Sequence, residues 1–303
     1  MASASSETLD AIASRARALS VACDSPSTSA SSRSRERLDA IDALRDAVVE
    51  CDGSTTERAD EALRAGEDAL ATCVVEPAGE VSAQRATMTL CACYRATEAG
   101  SMYSRANQLL DAATEKNASA FAKASTFKAL TRLVKEFRER LSGNASAYAR
   151  AASANFRPND DVECRRAATA FFAAACEAST GNLDGKSIAG YYKALARIES
   201  DKSEGVRAAV AEAFGMLTLA WSASREKGAA GDGDLDVHAT AQRVVRALSD
   251  ESARVRDAAS GALVNVALAC ARGALAESRD GEFETTAEPA FARAARVFMY
   301  APF

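Results

Sequence analysis

Histidine, proline and aromatic residues are scarce in this chain. Of its 303 residues, one is histidine (His238), five are proline, and 6% are aromatic. The eight cysteines form no CxxC pair, and with a single histidine they do not suggest a structural zinc site. No apolar run approaches the ~18 residues that a transmembrane helix requires. We therefore expect neither a metal centre nor direct insertion into a membrane.

Signals for binding phosphate groups are also missing. The formal net charge is -5 and the pI is about 5.3, so the chain lacks the basic surface that a nucleic-acid partner requires. No P-loop and no GxGxxG sequence occurs, and the glycine-rich stretch 228–234 is acidic. No residue set supports catalysis, a cofactor or a small-molecule substrate. We expect the protein not to be an enzyme.

Alanine makes up much of the hydrophobic content, which is 48% of the chain. Alanine has the highest intrinsic helix propensity, and its small side chain lets helices approach closely. Runs of β-branched residues are few, and no hairpin signal separates alternating strands. The composition predicts an all-α fold.

One short sequence motif, called the phrase below, recurs along the chain. An acidic residue stands five positions before an aliphatic residue and six before an arginine, and apolar residues follow at helical spacing. Two good copies begin at Asp201 and Asp250, and a looser copy begins at Asn159, so the copies start 42 and 49 residues apart. The matching residues are Asp201, Val206, Arg207, Val210 and Phe214; Asp250, Val255, Arg256 and Leu263; and Cys164 and Arg165. This period is typical of stacked antiparallel helix pairs, and it predicts an α-solenoid.

Each residue type in the phrase has a structural explanation. An aspartate before a helix accepts hydrogen bonds from free N–H groups and favours the positive end of the helix dipole. The aliphatic and aromatic positions form one apolar face, which for the last copy includes Val255 and Leu263. The arginine lies beside that face, where it can meet the acidic residue of its own turn or of the next repeat. The favoured interpretation is a ladder of ion pairs that holds the repeats in register, and the alternative is direct contact with a ligand.

The phrase resembles the HEAT repeat, whose second helix carries an Asp-x-x-x-x-Val-Arg signature. This resemblance implies a HEAT/armadillo-like helical fold. It does not identify a function, since importins, adaptors, phosphatase scaffolds and condensin subunits all contain such repeats.

A narrower resemblance covers roughly residues 80–225. The segment 88–102, with its cysteines and Tyr94, precedes an amphipathic helix and then 128–133, 147–150, 164–168 and 201–217. Their order and spacing are similar to the N-terminal part of the HEAT-repeat-containing protein 5 family, which includes the SWEETIE proteins. The resemblance implies a cytoplasmic scaffold that binds other proteins, among them clathrin adaptor components, and acts peripherally at trans-Golgi and endosomal membranes.

Three regions are predicted along the chain. Residues 1–34 comprise an N-terminal helix and a Ser-rich linker (25–34), although an organellar transit peptide is an alternative for this segment. Residues 35–143 form irregular helical repeats, with one strong helix over 119–141. Residues 144–303 form HEAT-like repeats, and we expect the C-terminal end to be truncated, because a last helix from about 288 has no partner after it.

The predicted function is that of a non-enzymatic scaffold for protein–protein interaction, in clathrin-adaptor-linked transport between the trans-Golgi network and endosomes. Nuclear transport and microtubule binding are alternatives within the same fold, as is a structural fragment of a larger scaffold. A tubulin-binding module would require basic and aromatic inter-helix loops, whereas 157–161, 200–204 and 249–252 are acidic or neutral.

Overall fold

A computed structural model describes residues 6–24, 30–50, 57–96, 101–179, 181–183, 185–226 and 235–279. Within these ranges the chain forms helices and no β-strand, which confirms the all-α prediction. None of the helices in the same ranges combines the length and apolar character needed to cross a membrane. The chain divides into two compact units, Met1–Glu136 and Phe137–Phe303. The predicted loop at 228–234 and the helix predicted from about 288 lie outside the described residues.

The first unit is built from six helices within the described part of the chain. They are α1 (Ser6–Asp24), α2 (Ala30–Glu50), α3 (Glu57–Val75), α4 (Glu80–Ala96), α5 (Ser101–Thr114) and α6 (Ala120–Glu136). Helix α1 packs against both α2 and α3, α4 covers α2 and α3, and α6 lies against α3, α4 and α5. Helix α2 begins at Ala30, so residues 30–34 of the predicted Ser-rich linker are helical, and residues 25–29 lie outside the described residues.

The helix predicted over 119–141 is interrupted at Phe137. Its apolar stripe is buried throughout, from Phe127 to Leu141. However, Phe137 has φ -116° and ψ 36°, which are not helical values, so α6 ends at Glu136. The carbonyl of Phe137 then accepts hydrogen bonds from the N–H groups of Arg140 and Leu141 and starts a new short helix. An apolar period of this kind continues across such a break, which is why the sequence did not reveal it.

The described part of the second unit contains three helix pairs. Its described helices are α7 (Arg138–Leu141), α8 (Ala145–Ser153), α9 (Val162–Ala178), α10 (Gly185–Ala196), α11 (Glu204–Glu226), α12 (Val237–Ala247) and α13 (Ala253–Arg279), with a 3-10 turn at Ser142–Asn144. The pairs are α8 with α9, α10 with α11, and α12 with α13. The second helices of the pairs also pack on one another, with α11 between α9 and α13.

Helices α11 and α13 approach closely where a glycine removes the side chain between them. A Cβ atom on Gly215 would lie 2.6 Å from the Cα of Ala262 and 2.9 Å from its Cβ. Such distances are shorter than any relaxed contact, so only glycine allows the observed separation of the two helices. The long second helices are thereby held backbone to backbone, and the turns that precede them lie side by side.

Candidate functional site

The first arginine–aspartate ion pair of the ladder joins α9 to the turn before α11. Arg165 donates from Nε and Nη2 to Oδ2 of Asp201, at 3.0 and 2.7 Å. Its Nη1 donates to the carbonyl oxygens of Pro158 and Asp160 in the turn before its own helix. Both charged side chains are 7% exposed. The pair is therefore buried, and Arg165 ties its own turn to the next one.

The second ion pair of the ladder repeats this arrangement one helix pair later. Arg207 donates from Nε to Oδ2 of Asp250 at 2.8 Å and from Nη2 to Oδ1 at 2.9 Å. Its Nη1 donates to the carbonyl oxygens of Asp201 and Lys202 in its own turn. The exposed Glu251 adds a longer contact of 3.4 Å. Each arginine thus binds the carbonyls of its own turn and the carboxylate of the following turn.

The third arginine of the phrase, Arg256, also binds the carbonyls of its own turn. Arg256 donates from Nη1 to the carbonyl oxygens of Asp250 and Glu251, at 2.8 and 2.9 Å. Its side chain is exposed, unlike those of Arg165 and Arg207. Within the described residues the ladder therefore consists of two carboxylate contacts, from α9 to α11 and from α11 to α13.

Each aspartate of the ladder serves two partners. Oδ1 of Asp201 accepts from the N–H of Ser203 at 2.8 Å, and Oδ1 of Asp250 accepts from the N–H of Ser252 at 2.9 Å. The same carboxylates accept from Arg165 and Arg207. In the looser copy Asp161 caps α9 instead, by accepting from the N–H groups of Glu163 and Cys164.

The ion pair between Arg207 and Asp250 stabilises the charged form of both groups. The hydrogen bond to Asp250 raises the pKa of Arg207. The hydrogen bond from Arg207 lowers the pKa of Asp250, and the N–H of Ser252 acts in the same direction. The carboxylate therefore stays ionised to lower pH in the folded chain than in the unfolded chain.

The apolar positions of the phrase lie in the core, with one exception. Cys164, Val206, Val210, Phe214 and Val255 are each 3% exposed or less. Leu263 was predicted on the same face but is only partly buried, which corrects that assignment. The buried stripe of α13 follows Val255, Ala259, Ala262 and Val266, at spacings of four, three and four, and Leu263 lies at its margin.

An open groove of about 530 Å³ lies between the turns that precede α11 and α13. Its buried side is formed by apolar residues of α11, α12 and α13: Val210, Ala211, Phe214, Val244 and Val255. Its rim carries exposed residues of both signs, namely Lys202, Arg246 and Glu251. The ladder residues Asp201, Arg207 and Asp250 line the groove between these two layers.

Models of known protein families match no part of this chain, and a search of the curated proteins finds no match to it. The geometry of the groove and of the ladder therefore carries the functional argument.

A second polar connection across the groove was missed from the sequence. Arg243 on α12 pairs with Glu199 in the preceding turn and donates from Nε to the hydroxyl of Tyr192 at 2.8 Å. Its guanidinium also lies over the Tyr192 ring, 5.4 Å from the centroid, and that ring contacts Phe214. The hydrogen bond to Glu199 raises the pKa of Arg243. The first helices of the pairs do not carry the recurring phrase, so no sequence signal pointed to these residues.

The groove has polar and charged side chains above apolar residues that are almost wholly buried. Its aspartates accept hydrogen bonds from arginine side chains and from the backbone N–H groups of Ser203 and Ser252, which directly precede α11 and α13. His238 lies on the first turn of α12, where Nε2 contacts the side-chain amide of Gln242 at 2.9 Å. Within the described ranges, no group of three or more His, Cys, Asp or Glu residues could hold a metal ion.

Proposed function

We propose that this chain is a HEAT-like α-solenoid scaffold for protein–protein interaction, without catalytic activity and without a cofactor. The support for the solenoid is the order of the second unit, in which α9, α11 and α13 pack in series and each turn is joined to the next by an arginine. A ladder of this type fixes the register of neighbouring helix pairs, and helix-pair repeats of this kind stack into superhelices with extended binding surfaces.

The observation that carries the binding role is the groove between two successive turns. Its apolar floor includes Phe214 and Val255, and its rim offers Lys202, Arg246 and Glu251 to a partner. Interfaces usually combine an apolar centre with a polar rim. The mixed charge of the rim favours a partner segment that carries both acidic and basic residues beside an apolar anchor.

A charge reversal on the rim tests the role of the groove. Arg246 and Lys193 are both exposed basic residues in the last turn of the first helix of a pair, but only Arg246 lines the groove. Arg246→Glu should reduce the recovery of partner proteins from cell extract, as measured by quantitative mass spectrometry. Lys193→Glu should leave the recovery unchanged. Equal recovery with both variants, in chains of unchanged melting temperature, would contradict binding at the groove.

The narrower proposal is that the partners are clathrin adaptor components, and that the protein is a cytoplasmic scaffold recruited by them to trans-Golgi or endosomal membranes. It is supported by the resemblance over residues 80–225 to the HEAT-repeat-containing protein 5 family. The net charge of -5 also argues against attraction to an anionic leaflet, which would require clusters of Lys and Arg. Recruitment should therefore depend on protein partners.

Localisation of the tagged protein in cells tests this narrower proposal. We expect Golgi and endosomal signal that saturates with expression and disappears when the adaptor is depleted. Purified adaptor components should also bind the chain directly in a titration, and Arg246→Glu should weaken that binding. A nuclear signal would favour the nuclear-transport alternative, and enrichment on microtubules would favour the microtubule alternative.

A further inference from the structure

Two cysteines from different helices meet in the first unit. Cys23 lies at the end of α1 and Cys73 lies near the end of α3, and their Sγ atoms are 3.4 Å apart. The two residues are 50 positions apart in the sequence. A disulfide bond is about 2.05 Å long, so the sulfur atoms need to approach by only a little more than 1 Å to bond.

A cation on α2 holds the two helix ends together. Arg37 donates from Nη2 to the carbonyl oxygen of Cys23 at 2.9 Å and from Nη1 to the carbonyl oxygen of Glu76 at 3.2 Å. Cys23 lies at the end of α1, and Glu76 is the first residue after α3. Because one guanidinium binds both ends, the two thiols are kept side by side in the folded chain.

The two cysteines differ in access to solvent. Cys73 is fully buried, whereas Cys23 is partly exposed. An oxidant in solution therefore reaches Cys23 first, and Cys73 lies directly behind it. This is the arrangement of an attacking thiol with a resolving thiol.

The surroundings also shift the pKa values of the two thiols in opposite directions. The hydrogen bond from Cys73 lowers the pKa of Cys23 to about 7, against the opposing effects of burial and of the carboxylates of Asp24 and Glu76, and with help from Arg37. The same hydrogen bond, together with burial, raises the pKa of Cys73. At neutral pH a substantial fraction of Cys23 is thiolate, which is the reactive form of cysteine, while Cys73 keeps its proton.

We propose that Cys23 and Cys73 are a thiol pair that a peroxide converts into a disulfide, which covalently joins α1 to α3. The Cys23 thiolate attacks one oxygen of hydrogen peroxide, the O–O bond breaks, and Cys23 becomes a sulfenic acid as hydroxide leaves. The Cys73 sulfur then attacks the sulfenic sulfur, the S–S bond forms and the S–O bond breaks. The leaving hydroxide takes the Cys73 proton as water. Two thiols are oxidised by two electrons in total, and one peroxide is reduced to two waters.

Peptide mapping of the whole chain tests the pairing without any variant. After treatment with hydrogen peroxide and digestion by trypsin without reductant, we expect peptide 18–33 to be linked to peptide 65–85, with the combined mass lowered by two hydrogens. Cys91 and Cys93 serve as internal controls, because burial raises the pKa of each to about 12. They should remain thiols under the same conditions. A linkage of Cys23 to any other cysteine, or oxidation that spares Cys23, would overturn the proposal.

Two variants test the assigned order of attack. In Cys73→Ala the sulfenic acid on Cys23 has no resolving thiol, so dimedone should label Cys23 after peroxide treatment. In Cys23→Ser dimedone should not label Cys73. Labelling of Cys73 in the second variant would show that the buried thiol reacts first and would contradict the mechanism.

The acidity of Cys23 gives an independent measurement. The rate of alkylation of Cys23 by iodoacetamide should rise with pH through a midpoint near 7 in the reduced wild-type chain. In Cys73→Ala the midpoint should shift upward, because the hydrogen bond that lowers the pKa is lost while Asp24 and Glu76 remain. An unchanged midpoint would show that Cys73 does not activate Cys23.

Oxidation should also change the stability of the first unit. A cross-link between positions 23 and 73 removes conformational entropy from the unfolded chain, so the oxidised wild type should melt several degrees higher than the reduced wild type. The same peroxide treatment should leave the melting temperature of Cys23→Ser unchanged. A disulfide that forms but lowers the melting temperature would contradict the close fit of the two sulfurs.

Discussion

The substitution Arg165→Met tests whether the buried ladder stabilises the second unit. Methionine keeps a long aliphatic side chain but removes the guanidinium. Oδ2 of Asp201 then loses two hydrogen bonds, and the carbonyls of Pro158 and Asp160 lose their contacts with Nη1. Because both charged side chains are only 7% exposed, the carboxylate is left without its cation in a site that little water reaches. We expect unfolding to become easier by about 3–5 kcal/mol.

Arg256→Met is the matched control for this prediction. Arg256 occupies the same position of the phrase, but its exposed side chain contacts only the carbonyls of Asp250 and Glu251. Its loss should cost less than about 1 kcal/mol, since water replaces those contacts. The comparison therefore separates the carboxylate contact from the rest of the arginine side chain.

Urea titration followed by tryptophan fluorescence measures both variants. Trp221 is the only tryptophan of the chain, and it lies buried on α11, so its emission reports the second unit. Equal losses for Arg165→Met and Arg256→Met would refute the argument from burial. Asp201→Asn provides a further check, because the double variant with Arg165→Met should lose less than the sum of the two single losses.

Three further predictions concern the same unit. Phe214→Ala removes a side chain that is 2% exposed and should cost about 3–5 kcal/mol in urea melts, and a loss under about 1 kcal/mol would contradict its core position. Gly215→Ala places a Cβ against the backbone of Ala262 and should cost about 1–3 kcal/mol, whereas Gly261→Ala, with open space around it, should be neutral or stabilise the helix by up to about 1 kcal/mol. Asp250→Asn should destabilise the chain at neutral pH, and the difference in stability between the variant and wild type should shrink as the pH falls from about 6 to about 3. The pKa of Asp250 is lowered in the folded chain. The carboxylate therefore contributes stability above the unfolded pKa near 4, and this stability is lost when the folded carboxylate is protonated. A difference that is constant with pH would show that the carboxylate charge does not contribute.

The recurring phrase predicted the helix pairs of the second unit well because its local signals are strong. The aspartates of the turns, the apolar spacing and the arginines all lie within one turn and one helix. The direction of the ladder remained open, since the sequence allowed each arginine to meet either its own turn or the next. The structure shows that the arginine divides its donors, with carbonyls in its own turn and the carboxylate in the next.

The parts that were missed depend on contacts between distant segments. Arg243 reaches Glu199 and Tyr192 from a helix without the phrase, so no periodicity pointed to it. Cys23 and Cys73 lie 50 residues apart on helices that share no repeated motif. Only the packing of α1 on α3 brings them together.

Asp201 and Asp250 each bind both a backbone N–H of their own turn and an arginine of the preceding helix pair. Local folding therefore depends on the neighbouring helix pair. Oδ1 of each carboxylate accepts from the serine N–H in its own turn, and the same carboxylate accepts from the arginine of the preceding helix pair. A turn that unfolds loses the contact with its neighbour, and a neighbour that separates leaves the carboxylate without its cation. Order at one turn is thus transmitted to the next, so neighbouring helix pairs of the second unit should unfold together.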